Sequence, residues 1–83
     1  MDNYFDYQLV SEARPEGHGR LSIIFKDGTH GIFDCSPYWA NPYWSKLKDD
    51  AFFRMVRVDC GTLTWPGDVD IAPEEVWHNS IKA

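Results

Sequence analysis

The sequence predicts a small α+β domain, and three observations support this fold class. The chain has 83 residues, a length typical of one domain, because chains divide into several domains only when they are much longer. Turn residues separate short segments that have either strand or helix patterns. Four Trp, four Tyr and five Phe make 16 % of the residues aromatic, and such large rings can build a core in a small protein. We therefore expect one domain over residues 1–83.

The first half of the chain predicts three strands: Tyr7–Arg14, Arg20–Phe25 and Gly31–Asp34. The stretch Pro15–Gly19 has one Pro and two Gly and predicts a turn between the first two strands. Asp27 and Gly28, between two apolar runs, predict a tight hairpin. Alternate residues of the second strand share an apolar face, and Ile24 on the opposite face suggests that this strand is partly covered on both sides.

Short helices are expected in the middle of the chain. Ser36 as N-cap, followed by Pro37 at the first helical position, indicates a helix start. Pro42 prevents one long helix, so the pattern predicts a short helical turn, a loop and a second turn reaching Leu47. Asp49 or Asp50 then caps another short helix that ends near Phe53.

The second half of the chain predicts a hairpin and a terminal helix. The hairpin strands are Arg54–Asp59 and Thr62–Trp65, with the turn at Cys60 and Gly61. Pro73 opens the helix, and Glu74 and Glu75 suit the positive end of its dipole. The predicted order is β-β-β, short helices, β-β and a C-terminal helix, with two antiparallel hairpins.

Three motifs resemble a known family. They are F-K-D-G-T-H-G-I-F-D at Phe25–Asp34, D-D-A-F-F at Asp49–Phe53 and T-L-T-W-P-G-D-V-D-I-A-P-E at Thr62–Glu74. In this order they resemble the small bacterial family called domain of unknown function 2442. The resemblance implies a small α+β domain, which in some members precedes a helix-turn-helix module that is not expected in this chain. It also implies a protein partner, because members are often encoded beside another small protein, as in toxin–antitoxin pairs.

Composition argues against several classes of function. No apolar run approaches the ~18 to 20 residues that a membrane-spanning helix needs. The first residues, MDNYFDYQ, contain no Lys or Arg, unlike a secretory signal, so we expect a cytoplasmic protein. The net charge is −5 and the eight basic residues are scattered, so nucleic-acid binding by this chain alone is not expected.

The two cysteines predict neither a metal site nor a redox motif. Cys35 and Cys60 are far apart in the sequence and form no CxxC element, so they cannot supply a zinc ligand set. In the cytoplasm two buried thiols are expected rather than a disulfide. No cofactor is expected.

The aromatic segment, defined as Tyr38–Trp44, is the main candidate site. It holds Tyr38, Trp39, Tyr43 and Trp44 within seven positions, more rings than a short helix can turn inward. Tyr and Trp are enriched at interface hot spots, so these four residues are candidates for binding a partner. The alternative is that the rings pack as a cluster over the sheet.

Carboxylates form the second candidate site. Asp34, Asp68 and Asp70 could belong to a metal-binding or hydrolytic site, because oxygen ligands suit Mg²⁺ and Ca²⁺. Capping and turn roles are favoured for Asp34 and Asp70, in the latter case at the turn into the Pro73 helix. Turn or cap roles are also assigned to Asp27, Gly28 and Ser36.

The sequence favours a non-enzymatic interaction module over an enzyme. It contains no nucleophile motif around a serine and no phosphate-binding glycine loop. We expect the chain to bind a protein partner or another copy of itself through the aromatic segment and a sheet edge. The alternative is a small ligand or metal site at Asp34, Asp68 and Asp70, and no small-molecule ligand can be specified.

Overall fold

The computed structural model describes residues 7–82 and confirms the α+β class. The strands in this range are β1 (Val10–Gly17), β2 (Arg20–Phe25), β3 (His30–Asp34), β4 (Arg57–Asp59), β5 (Thr62–Trp65), β6 (Val69–Ile71) and β7 (Ile81–Lys82). The 3-10 helices are Ser36–Ala40 and Pro42–Lys48, and the α-helices are α1 (Asp50–Phe53) and α2 (Pro73–Asn79). Residues 1–6, on which the prediction about a signal sequence rests, lie outside the described range.

The strands form two antiparallel sheets, with the orders β1-β2-β3-β7 and β4-β5-β6. Both predicted hairpins are present, and each gains a further strand. The sequence did not predict β6, because Asp68 and Asp70 are poor strand formers. It did not predict β7 either, because two residues give no local pattern; this strand is defined by its pairing of Ile81 with Ile32 of β3.

The first strand begins and ends three residues later than predicted. It runs through Pro15, which a strand tolerates at the edge of a sheet because no partner needs the missing N–H there. The turn is reduced to His18 and Gly19, both with positive φ. A register shift after Val10 places both Val10 and Ala13 against the core.

One helix start and one strand start differ from the sequence prediction, whereas the predicted cap of α1 is confirmed. Ser36 is the first residue of its 3-10 helix, and the N-cap position is Cys35, which makes no side-chain capping bond. Asp49 is the N-cap of α1, and its side chain accepts the N–H of Ala51. The predicted strand at Arg54 begins at Arg57 instead, because the intervening backbone N–H groups bond back to α1.

One apolar core joins the two sheets. Its buried members come from β1, β2, β3, the second 3-10 helix, α1, β5, β6 and α2, together with Cys35. Trp65 of β5 packs on Phe53 of α1, and its indole N–H donates to the Phe53 carbonyl at 2.9 Å. Trp77 of α2 meets Phe25 edge-on at 4.8 Å. None of the helices within residues 7–82 is long and apolar enough to cross a membrane.

Gly61, between β4 and β5, lies in close contact with Leu9, which precedes β1. Its φ is +82°, and a Cβ at this position would lie 2.6 Å from the Cβ of Leu9. Gly61→Ala should therefore lower the free energy of unfolding by about 1–2 kcal/mol through backbone strain and by about 1–3 kcal/mol more through overpacking. Urea denaturation would measure the loss.

Gly67→Ala is the matched control for this prediction. Gly67 has a φ of +83°, but nothing lies within 4 Å of the Cβ position. This variant should show only the backbone strain. Equal losses in the two variants would contradict the close packing of Leu9 on Gly61.

Candidate functional site

The aromatic segment lies largely within the fold. Tyr38, Trp39 and Trp44 are half-buried and pack against the core, whereas Tyr43 keeps 46 % of its surface exposed. Three of the four candidate partner-binding rings therefore form the cluster over the sheet that was the alternative to an exposed interface. The segment can do so because its two 3-10 helices, separated at Asn41, turn rings toward different neighbours.

Tyr38 connects the first 3-10 helix to β3 and α2. Its ring contacts Phe33 with centroids 5.7 Å apart, and its hydroxyl donates to Glu75 Oε1 at 2.6 Å. Burial, followed by the hydrogen bond and charge of Glu75, raises the pKa of Tyr38 well above its usual value. A tyrosine held in this way is a protonated structural donor at neutral pH.

Tyr43 and Trp44 connect the second 3-10 helix to β6. The Tyr43 hydroxyl donates to the carbonyl oxygen of Asp68 at 2.6 Å, and the Trp44 indole N–H donates to the carbonyl oxygen of Asp70 at 2.9 Å. The two rings meet edge-on at 4.9 Å. One carbonyl just before β6 and one within it, at an edge of the three-stranded sheet, thus accept hydrogen bonds from the aromatic segment.

The structure does not bring the three candidate carboxylates into one site. Asp34 lines a cleft with Tyr38 and Glu75, while Asp68 and Asp70 line a different cleft beside Trp65. Within residues 7–82 no group of three or more His, Cys, Asp or Glu side chains could hold a metal ion. The three carboxylates therefore do not form one metal-binding cluster within the described residues.

The side chains of the turn candidates have local roles. Asp27 Oδ1 accepts the N–H of Thr29, and Asp34 Oδ1 accepts the N–H of Ser36, both at 2.9 Å. The bond from Thr29 lowers the pKa of Asp27. Asp70 does not cap α2, whose N-cap is Ala72 without a side-chain bond.

A family profile described as "Protein of unknown function (DUF2442)" matches residues 10–82. The chain belongs to the DUF2442 family. The resemblance seen in the three sequence motifs is thereby confirmed over nearly the whole chain. Neither a curated protein nor a solved structure matches the chain.

The two cysteines of this DUF2442 protein differ in accessibility. Both are free, and Cys35 is buried while Cys60 is exposed. Burial, with a smaller contribution from the charge of Asp34, raises the pKa of Cys35 to about 12, so its thiol is not an activated nucleophile. The prediction that both thiols are buried is wrong for Cys60, because this residue occupies the turn between β4 and β5 with a φ of +53°.

The four-stranded sheet of the DUF2442 fold has one covered face and one open face. Leu21, Ile23 and Phe25 point into the core. The outward residues of β1, β2, β3 and β7 are all exposed or half-buried: Glu12, Arg14, Arg20, Ser22, Ile24, His30, Ile32, Asp34 and Ile81.

Three isoleucines lie on the open face. Ile81 is 79 % exposed and is paired directly with Ile32, which is 41 % exposed. Ile24 is half-buried and lies on β2, two residues from Ser22, which pairs with Ile32. The alternation of residues in β2 already indicated Ile24 as the apolar residue on the outer face of its strand. No local pattern indicated Ile81, because its position beside Ile32 depends on a pairing between distant parts of the chain.

The Tyr38–Glu75 bond gives a pH-dependent prediction. Tyr38→Phe should lower the free energy of unfolding by about 1 kcal/mol at neutral pH, because it leaves the ring in place and removes one hydrogen bond. The raised pKa of Tyr38 means that the contribution of its hydroxyl is fully present below about pH 10, where an unfolded tyrosine titrates. As pH rises above that value, the difference from wild type should shrink.

Urea denaturation of both proteins at neutral and alkaline pH would measure this difference. Glu75→Gln, which keeps an acceptor and removes the charge, is the control and should weaken the pH dependence. A difference between wild type and Tyr38→Phe that is constant across this pH range would contradict the assigned role.

Proposed function

We propose that this DUF2442 protein is a non-enzymatic interaction module that binds a second copy of itself through the open face of the four-stranded sheet. The observation that carries the proposal is the exposed pair Ile32 and Ile81. Adjacent exposed aliphatic side chains on a sheet that is covered on only one face are typical of interaction surfaces. With Ile24 they form an apolar strip across β2, β3 and β7.

The charges around the isoleucines favour a second copy as the partner. Glu12 and Asp34 are on this face together with Arg14 and Arg20. A twofold interface places the same patch on both sides, so it must be self-complementary. A patch that carries both signs can match opposite charges across the axis, although the chain as a whole has a net charge of −5.

The aromatic segment contributes a smaller second surface in this proposal. Only Tyr43 combines an exposed ring with a position at the rim of the fold. Tyr38, Trp39 and Trp44 support the interaction indirectly, because their packing holds the sheets together.

The Ile32→Lys/Ile81→Lys variant tests the proposal. Sedimentation velocity should show wild-type protein associating as concentration rises, whereas the variant stays monomeric because two facing copies would bury four lysine charges. The loss of apolar contact alone should weaken association by at least about tenfold, since each exposed isoleucine that becomes fully buried contributes about 1.5–3 kcal/mol.

Met55→Lys is the matched control. Met55 is also apolar and 52 % exposed, but it lies in the turn between α1 and β4. This variant should associate like wild type, and circular dichroism should show that all three proteins are folded. Wild-type protein that remains monomeric at every concentration, or a double variant that associates unchanged, would contradict the proposal.

A further inference from the structure

A cleft of about 350 Å³ lies where the β1–β2 turn meets the second 3-10 helix and α1. Its lining includes the basic side chains His18, Lys48 and Arg54 and a single carboxylate, Asp50. We call it the basic cleft. Its volume falls in the range of roughly 300–1,000 Å³ that is common for small-ligand pockets. Basic groups are thus concentrated at one place on a chain whose acidic residues outnumber its basic residues.

The glycine-rich turn shapes one wall of the basic cleft. Gly17, His18 and Gly19 have φ values of +100°, +56° and +80°. A Cβ on Gly19 would lie 2.8 Å from the Trp39 ring, and a Cβ on Gly17 would lie 3.6 Å from Arg54 Nη2. The turn therefore lies against Trp39 and beside the Arg54 guanidinium, and the exposed His18 also lines the cleft.

Trp39 forms the aromatic part of the wall of the basic cleft. Its indole N–H is buried and meets no acceptor among residues 7–82, so this donor does not itself face a ligand in the open cleft.

Arg54 can bind a ligand without losing its present partner. Its Nε donates to Asp50 Oδ2 at 2.7 Å, one helical turn away. A guanidinium has five N–H donors, so the bond to Asp50 orients the side chain and leaves the others for a ligand. Lys48 makes no ion pair within the described part of the chain.

We propose that the basic cleft binds a small oxyanion, the phosphate or carboxylate group of a small molecule. Lys48 and Arg54 supply the positive charge, Arg54 offers the fork geometry that matches such groups, and His18 also lines the cleft. The proposal is independent of self-association, because the cleft is formed by residues outside the three isoleucines of the open sheet face.

Titration of ¹⁵N-labelled protein by NMR would test the basic cleft. Inorganic phosphate, acetate and chloride would be added in separate arms at constant ionic strength. Saturable shifts are expected at the amides of Gly17–Gly19, with phosphate, acetate or both but not with chloride. The stronger of the first two arms identifies the class of oxyanion.

Charge variants make the test specific to the cleft. Lys48→Gln and Arg54→Gln should each weaken binding by about tenfold, the effect of losing one charge-assisted hydrogen bond. Asp50→Asn should strengthen binding, because it removes the one carboxylate from the wall. Lys26→Gln changes an exposed lysine at the β2–β3 turn and should bind like wild type.

Two results would overturn the proposal. One is the absence of any saturable shift with phosphate or acetate beyond that seen with chloride. The other is equal affinity of wild type and Lys48→Gln, which leaves the Arg54–Asp50 pair intact and so separates loss of binding from loss of structure. Spectra of each variant without anion would show whether the fold is retained.

Discussion

The packing of the two sheets depends on the hydrogen bonds that join the aromatic segment to α2 and to β6. Tyr38 reaches α2 through Glu75, and Trp44 reaches β6 through the carbonyl of Asp70. Small sheets gain stability when they are packed against another element. Because the segment follows β3 directly and contacts β6, it holds the inner faces of both sheets on one core.

Tyr and Trp suit a segment that connects the two sheets, because each has a large apolar ring and one polar group. The rings extend the core to its rim, and the polar groups of Tyr38, Tyr43 and Trp44 donate to oxygens on neighbouring elements. A segment of Phe could cover the same area but could not form these bonds. The excess of aromatic residues over what a small core needs is therefore used mainly for structure, whereas Ile32 and Ile81 are exposed on the outer face of the four-stranded sheet.

The distribution of charge in the folded molecule differs from its average. Basic residues are scattered along the sequence, and none of the short-range patterns indicates an anion site. Folding brings His18 of the β1–β2 turn to the same cleft as Lys48 and Arg54. In the same way, Ile81 reaches Ile32 only because β7 pairs with β3. Both surfaces depend on contacts between residues that are far apart in the sequence.

The sequence by itself determined the elements that have local causes. Alternating apolar residues set β2 and β5 with their observed bounds, the Asp-Gly pair set the β2–β3 turn, and Pro73 set the start of α2. The family also followed from local motifs. The tertiary structure decided β6 and β7, the burial of Tyr38 and Trp44, the exposure of Cys60 and the separation of Asp34 from Asp68 and Asp70. Each of these depends on which distant segment lies alongside, and a local pattern of residues contains no such information.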